Sequence, residues 1–199
     1  MRGVPGSTDS ASVDRRRDLR WRGALDALGV LRRQPGITRS ALAQRAGLSS
    51  GSATEITARL RELALLQETP APVVGRGRPT TQLGAHPRGP LVLAVDLRYE
   101  DWRIGLAGLD GRLEHAGAGR HRRRDPRSVL DALAAAIAAV RAPLRRRVRV
   151  ISVAVAGTVQ DQQLVQASTL GWGRVDLGAL VRGAPLPLLV GNDATLAGV

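Results

Sequence analysis

The segment from residue 36 to residue 56 constrains the fold of this chain more than any other. Its spacing of apolar and polar residues predicts two short helices, the first over about residues 38–46, with a turn at Gly47 between them. Glycine suits that turn because it has no Cβ and adopts positive φ without strain. Ala43 provides the small residue that two closely crossing helices need. The pattern is that of a helix-turn-helix, and an αα-hairpin whose serines only cap a helix is the alternative.

The second predicted helix has one apolar face and one polar face. Ala53, Ile56, Leu60 and Leu63 recur at helical spacing and are expected to be buried. Short polar side chains near the N-terminus of such a helix can contact base edges in a DNA major groove. The candidate DNA-contacting residues of this segment are therefore Thr38, Arg39, Ser50, Ser52, Thr54, Glu55 and Arg59.

A basic turn follows these helices. After Leu66, two short strands are predicted on either side of a tip that contains Arg76 and Arg78. Glycines beside these arginines let the tip lie close to a surface, and the two cations suit phosphates or a narrow minor groove. A solvated Gly-Arg-Pro linker is the alternative. Because the turn comes directly after a helix-turn-helix, we interpret residues 19–85 as a winged helix-turn-helix DNA-binding domain.

The charge of the chain supports a polyanionic partner. The net charge is +13, and residues 1–90, with 15 arginines and 7 acidic residues, carry +8 of it. Nucleic acid fits better than a membrane, since no basic helix carries large apolar residues opposite its charges. The chain has no cysteine, which excludes disulfides and thiolate metal sites, and we expect no metal and no cofactor. It shows no apolar core of a signal peptide and no membrane-length apolar run, so we expect a soluble, cytoplasmic protein.

Three further segments complete the organisation of the first part. Residues 1–18 are expected to be a disordered arm. A helix is predicted from about residue 19 to residue 33, and residues 86–90, which include two prolines, are expected to be a linker. The apolar stripe of the predicted helix consists of Trp21, Leu25, Leu28 and Leu31.

Residues 91–199 follow a different pattern, that of an α/β domain. Buried-type strands are predicted over residues 91–96, 102–108, 112–118, 148–155 and 186–190. Asp125 and Pro126 are a good N-cap and first residue for a helix, whose apolar stripe contains Leu130, Leu133, Ile137 and Val140. A second, short helix is predicted over about residues 176–182. Strands that alternate with helices in this way predict a mixed sheet with helices packed on it.

Five motifs stand out in this part of the chain: residues 92–96, the hairpin turn at Asp110-Gly111, residues 153–159, residues 169–172 and residues 191–197. With these motifs behind a winged helix, the chain from about Thr38 to its end resembles the ROK family, which groups repressors and sugar kinases on an actin-like, ribonuclease-H-like α/β fold. The Asn192-Asp193-Ala194 segment is the most specific single motif. The resemblance implies a winged helix-turn-helix followed by a partial actin-like domain over residues 91–199.

The resemblance also implies a sugar site. Asp193 matches the catalytic base of the family's kinases, a carboxylate that accepts a proton from a sugar hydroxyl during phosphoryl transfer. Asn192 matches a sugar-binding residue, and Gly157 and Thr158 match a loop that closes on the sugar, although Ala156 replaces its usual proline. From the residues alone, without the wider pattern, Asn192-Asp193 is better explained as the N-cap of a helix that follows a strand.

Two departures from the family speak against catalysis. In the family's kinases, the aspartate that matches Asp96 at the end of the first strand is followed by a glycine-rich phosphate loop. Here residues 97–101 are Leu-Arg-Tyr-Glu-Asp instead. Their bulk and acidity oppose the close backbone contact that phosphates need. By the family's standard the chain also stops early, so we expect no kinase activity and no catalytic residue. We further expect weak sugar binding and uncovered apolar faces on the sheet and on the helix of Leu130 and Ile137.

These inferences predict a sequence-specific DNA-binding repressor of sugar-utilisation genes with a degenerate or incomplete sugar sensor. Its expected partners are a double-stranded DNA operator, a sugar or sugar derivative as effector, and a second copy in a homodimer. A sugar kinase of the ROK type, which phosphorylates a hexose with ATP, is the alternative. A basic nucleic-acid-binding module without an effector is a third interpretation.

Overall fold

The computed structural model of the chain describes residues 8–71, 80–121, 125–183 and 186–197, with side chains from Trp21 to Leu196. The chain divides into two units. The first consists of Met1–Gly89 and Leu109–Gly111, and the second of Pro90–Gly108 and Arg112–Val199. No helix in the described ranges combines the length and the apolar character that crossing a membrane requires.

The first unit contains three helices and a hairpin. Helix α1 spans Thr8–Arg33, α2 spans Arg39–Arg45 and α3 spans Ser50–Glu62. Strands β1 (Leu66–Pro70) and β2 (Thr81–Ala85) pair antiparallel. The predicted turn between α2 and α3 is confirmed, because Gly47 has a φ of 63°. Helix α2 begins next to its predicted start, and Thr38 and Ser49 are the N-caps of α2 and α3, each accepting a hydrogen bond from a backbone N–H group of the first turn.

The predicted apolar stripe of α1 is confirmed at Leu31 and is wrong at Trp21 and Leu25. The helix buries Ala24, Ala27, Val30 and Leu31, whereas Trp21 and Leu25 are 48% and 65% exposed. The physical reason is the close approach of α1 and α3, where a Cβ built on Gly23 would lie 3.0 Å from Ile56 Cδ1. Small residues permit that approach near Gly23, so Trp21 and Leu25 lie outside the contact there.

Two other predictions for this unit need correction. Helix α1 begins at Thr8, so the expected disordered arm is wrong from that residue onward, while residues 1–7 lie outside the described ranges. Residues 8–18 contain neither glycine nor proline, and Ala11 and the three arginines at positions 15–17 favour helix. Leu63 is 42% exposed rather than buried, because α3 ends at Glu62 and Leu63 is its C-cap.

The second unit is built on a mixed five-stranded sheet. Its strands are β3 (Leu91–Leu97), β4 (Asp101–Ala107), β5 (Leu113–Arg120), β6 (Val148–Val155) and β10 (Leu188–Asn192), in the order β10-β6-β3-β4-β5. β3, β4 and β5 are antiparallel neighbours, whereas β6 and β10 run parallel to β3. The predicted α/β architecture with a mixed sheet is therefore confirmed.

Helix α4 (Pro126–Arg141) packs on one face of this sheet. Asp125 caps it, accepting hydrogen bonds from the Ser128 backbone N–H at 2.9 Å and hydroxyl at 2.8 Å. These two hydrogen bonds lower the pKa of Asp125 below its usual value. Leu130 and Ile137 are buried, so the expectation that their helix face is uncovered is wrong: the sheet itself covers it.

The connection from β6 to β10 contains a small sheet that the sequence patterns did not predict. Strands β7 (Thr158–Gln160), β8 (Gln163–Gln166) and β9 (Val175–Asp176) pair antiparallel. A 3₁₀ turn at Leu177–Val181 follows, within the segment where a short helix was predicted. These strands of two to four residues are too short for an alternating pattern to reveal them.

Candidate functional sites

The first candidate site is the exposed face of α3, which carries the candidate DNA-contacting residues of this helix. Ser50, Ser52, Thr54, Glu55 and Arg59 are all exposed there, as the helical spacing predicts. The buried face of the same helix is formed by Ala53, Ile56, Thr57 and Leu60. A helix of 13 residues with one such polar face has the dimensions to enter a major groove.

Several of these polar groups already have hydrogen-bond partners at the helix N-terminus. Ser49 Oγ accepts from the Ser52 backbone N–H at 3.1 Å and lies 2.9 Å from Ser52 Oγ. Thr54 Oγ1 donates to the Ser50 carbonyl oxygen at 2.9 Å. Thr38, by contrast, caps α2, with its Oγ1 accepting from the Ala41 N–H at 3.3 Å. The sequence-predicted residues therefore combine capping with exposure.

Arg39 occupies a more structural position than the sequence predicted. Its Nη2 lies 3.2 Å from Glu68 Oε2 on β1, and Arg61 Nη1 of α3 lies 3.7 Å from Glu68 Oε1. Glu68 has a side chain only 15% exposed and thus links both helices to the hairpin. The sequence patterns did not single out Glu68 or Arg61. The predicted contacts of Arg76 and Arg78 lie outside the described residues.

The second candidate site is an open cleft of about 660 Å³ in the second unit. Gly157 and Thr158 line it together with Asn192, which lies 35 residues after Gly157 in the sequence. The topology brings them together, because Gly157 follows β6 and Asn192 ends β10, and these strands are parallel neighbours with Asn192 opposite Val155. Polar groups at the carboxyl ends of adjacent parallel strands are typical of ligand sites in α/β sheets.

Asn192 is held firmly in this cleft. Its Nδ2 donates to the Gly157 carbonyl oxygen at 2.9 Å, and its Oδ1 accepts from the Thr195 N–H at 3.1 Å. The second bond makes Asn192 the N-cap of α5 (Asp193–Ala197). Asp193 is exposed, its Oδ1 accepts from the Ala194 N–H at 2.8 Å, and it is not among the residues that line the cleft.

The folded chain matches solved structures, although no protein-family model and no curated protein matches its sequence. A ROK family transcriptional regulator, described as a homologue of the E. coli Mlc protein, matches 87% of this chain with 25% identity and a TM-score of 0.59. The resemblance to the ROK family is confirmed. A ROK family glucokinase from Streptomyces griseus, solved with glucose and AMPPNP, matches 54% of the chain with 23% identity and a TM-score of 0.48. The matches span 46% of the regulator and 35% of the glucokinase.

The turn between β3 and β4 is the place where the ROK resemblance implies a phosphate loop in the kinases. Here Arg98 Nη2 lies 2.7 Å from Asp101 Oδ2, and Arg98 Nε lies 3.5 Å from Asp96 Oδ2. The Arg98 N–H donates to the Asp101 carbonyl at 2.9 Å, and the His121 N–H donates to the Glu100 carbonyl at 2.8 Å. The turn is therefore closed by contacts among its own residues and their neighbours.

Two further residues that the sequence patterns missed line the cleft of the second unit. Asp161 and Gln162 connect β7 to β8 and have φ values of 48° and 65°. Gln160 and Gln163 pair on either side, so this is a two-residue hairpin turn with both central residues at positive φ. Glycine or asparagine is the usual signal for such a turn, and glutamine gives no such signal.

We expect Gln162→Gly to stabilise the second unit. Glycine adopts positive φ without the steric cost that glutamine bears, and part of this gain is offset by the greater freedom of glycine in the unfolded chain. The free energy of unfolding should rise by about 1 kcal/mol and the Tm by about 4 °C. Thermal unfolding measures both. Gln160→Gly, at a strand position without positive φ, is the control and should lower stability; equal effects of the two changes would contradict the prediction.

Proposed function

We propose that the chain is a sequence-specific DNA-binding transcriptional repressor. Its first unit, through about residue 85, acts as a winged helix-turn-helix in which α3 enters the major groove. The hairpin of β1 and β2 forms the wing and carries Arg76 and Arg78 at its tip. Residues 86–90 link this domain to an actin-like domain formed by residues 91–199.

One observation carries this proposal. The polar face of α3 is exposed beside a hairpin, in a chain similar over 87% of its length to a ROK family transcriptional regulator. A module of this kind positions itself on DNA through phosphate contacts and distinguishes sequences through base edges. The exposed serines and threonine of α3 suit base edges, whereas the arginines suit phosphates. A second copy on a two-fold related half-site would double the contact surface.

Selection of duplexes from a random pool by the full chain tests the proposal. A shared sequence motif among the selected duplexes is the expected result. Ser52→Ala should alter base preference within that motif, whereas Arg76→Ala and Arg78→Ala should weaken binding to most sequences similarly. Arg149→Ala, which removes an exposed arginine from the second unit, is the charge-matched control. Equal affinity for every duplex would contradict sequence specificity.

The second unit, under the same proposal, is a sugar sensor rather than a kinase. Gly157, Thr158 and Asn192 would contact a sugar hydroxyl in the cleft, with Asp193 at its margin. The turn at Arg98 supports the absence of kinase activity, since Glu100 and Asp101 bring two acidic side chains to the place where the resemblance implies a glycine-rich phosphate loop. A bound sugar regulates DNA affinity only if it binds the two states of the protein differently.

We expect hexoses to bind this cleft with millimolar affinity or not at all. Asn192 already uses one amide N–H and its carbonyl oxygen within the protein, and an open cleft leaves much of a sugar hydrated. Calorimetry with hexoses and their N-acetyl and phosphorylated forms measures this affinity. Micromolar binding would contradict the expectation. Sugar-dependent turnover of ATP to ADP with phosphorylation of the sugar, abolished in Asp193→Asn, would instead establish the kinase alternative.

A further inference from the structure

The hydroxyl group of Thr54 has its only proton committed within the protein. It donates to the Ser50 carbonyl oxygen at 2.9 Å, one turn earlier in α3. A threonine in this arrangement holds its oxygen against the helix backbone with no proton left to donate, and its γ-methyl group is the part left for an apolar contact. Thr54 is exposed, so this methyl group is accessible on the polar face of α3.

A second methyl group extends the same surface. Ala58 is also exposed, and it lies four residues after Thr54, so the two side chains are neighbours on one helix face. Ser52 lies between Thr54 and the start of α3, and its Oγ lies 2.9 Å from Ser49 Oγ. The face of α3 therefore presents a small apolar strip beside hydroxyl groups that already have partners.

We infer that Thr54 is a specificity-determining residue that recognises the 5-methyl group of a thymine through its own methyl group. The inference rests on the proposed function, because it requires α3 to lie in a major groove. Thymine is the base that presents a methyl group there, and apolar side-chain contact is a recognised way of distinguishing it. Thr54 lies early enough in α3 to contact base edges.

The test combines a change in the DNA with two changes in the protein. In the duplex that the full chain selects, each thymine is replaced in turn by deoxyuridine, which removes only the methyl group. At one position the wild-type chain should lose about four-fold in affinity, the value that corresponds to one buried methyl group. Thr54→Val, which keeps a methyl group in place, should retain this discrimination.

Thr54→Ser, which keeps the hydroxyl and removes the methyl, should bind the thymine and deoxyuridine duplexes equally. Comparison between variants cancels any effect of deoxyuridine on the DNA itself. Thr169→Ser is the matched control, because Thr169 also directs its hydroxyl to a backbone carbonyl, that of Ala156 at 3.4 Å, but lies in the second unit. This control should discriminate as the wild-type chain does.

The outcomes separate this inference from the proposed function. Discrimination that survives in Thr54→Ser, is lost in Thr54→Val, or is absent from the wild-type chain would overturn the role of the Thr54 methyl group. Sequence-specific binding would in those cases leave the proposed function intact. Failure of the full chain to bind any duplex specifically would overturn both.

Discussion

Raising the salt concentration from about 50 mM to about 200 mM is expected to weaken duplex binding by the full chain roughly 500-fold, if about five phosphates are neutralised. The physical reason is the release of condensed counterions from DNA when arginine side chains replace them. Residues 1–90 carry a net charge of +8, which is ample for that number of contacts. Titrations of a labelled duplex at several salt concentrations give the slope of log affinity against log salt.

Single arginine variants show which contacts produce the slope. Arg76→Ala and Arg78→Ala should each reduce its magnitude by about 0.9, the contribution of one phosphate contact. Arg149→Ala, the control in the second unit, should leave the slope unchanged. A slope near zero for the wild-type chain would mean that phosphate contacts do not drive binding and would count against the proposed function.

Gly157→Ala is expected to lower the free energy of unfolding of the second unit by about 2–3 kcal/mol, an effect typical of overpacking. A Cβ at this position would lie 2.6 Å from the Gln166 carbonyl oxygen and 2.8 Å from Leu164 Cδ1. Both neighbours belong to β8, and Leu164 is completely buried, so neither can move away cheaply. The same displacement should weaken the hydrogen bond from Asn192 to the Gly157 carbonyl.

Urea unfolding followed by tryptophan fluorescence measures this change. Trp102 and Trp172 are buried in the second unit and report its unfolding, whereas Trp21 in the first unit is 48% exposed. Gly173→Ala is the matched control, because a Cβ there meets no atom within 4 Å. A loss of stability no larger than that of the control would show that the loop at Gly157 adjusts without cost.

Local patterns in the sequence determined the elements whose signals lie within a few residues. The glycine turn at Gly47 and the Asp125 cap were both predicted, because each depends on hydrogen bonds or backbone angles between near neighbours. The buried stripe of α4 was also predicted, since one sheet covers a single face of the helix. The motifs shared with the ROK family then indicated the mixed α/β fold of the second unit.

The tertiary structure alone decided which face of α1 is buried and which side chains meet in the cleft. The close contact between Gly23 and Ile56 requires small residues on that part of the α1 interface. This requirement depends on the position of α3 and not on the hydropathy of α1. Glu68 joins Arg39 and Arg61 only because the hairpin folds back on both helices. Likewise, the bond from Asn192 to Gly157 spans 35 residues and exists because β6 and β10 run parallel side by side. Contacts of this kind depend on chain topology, which sequence periodicity does not encode.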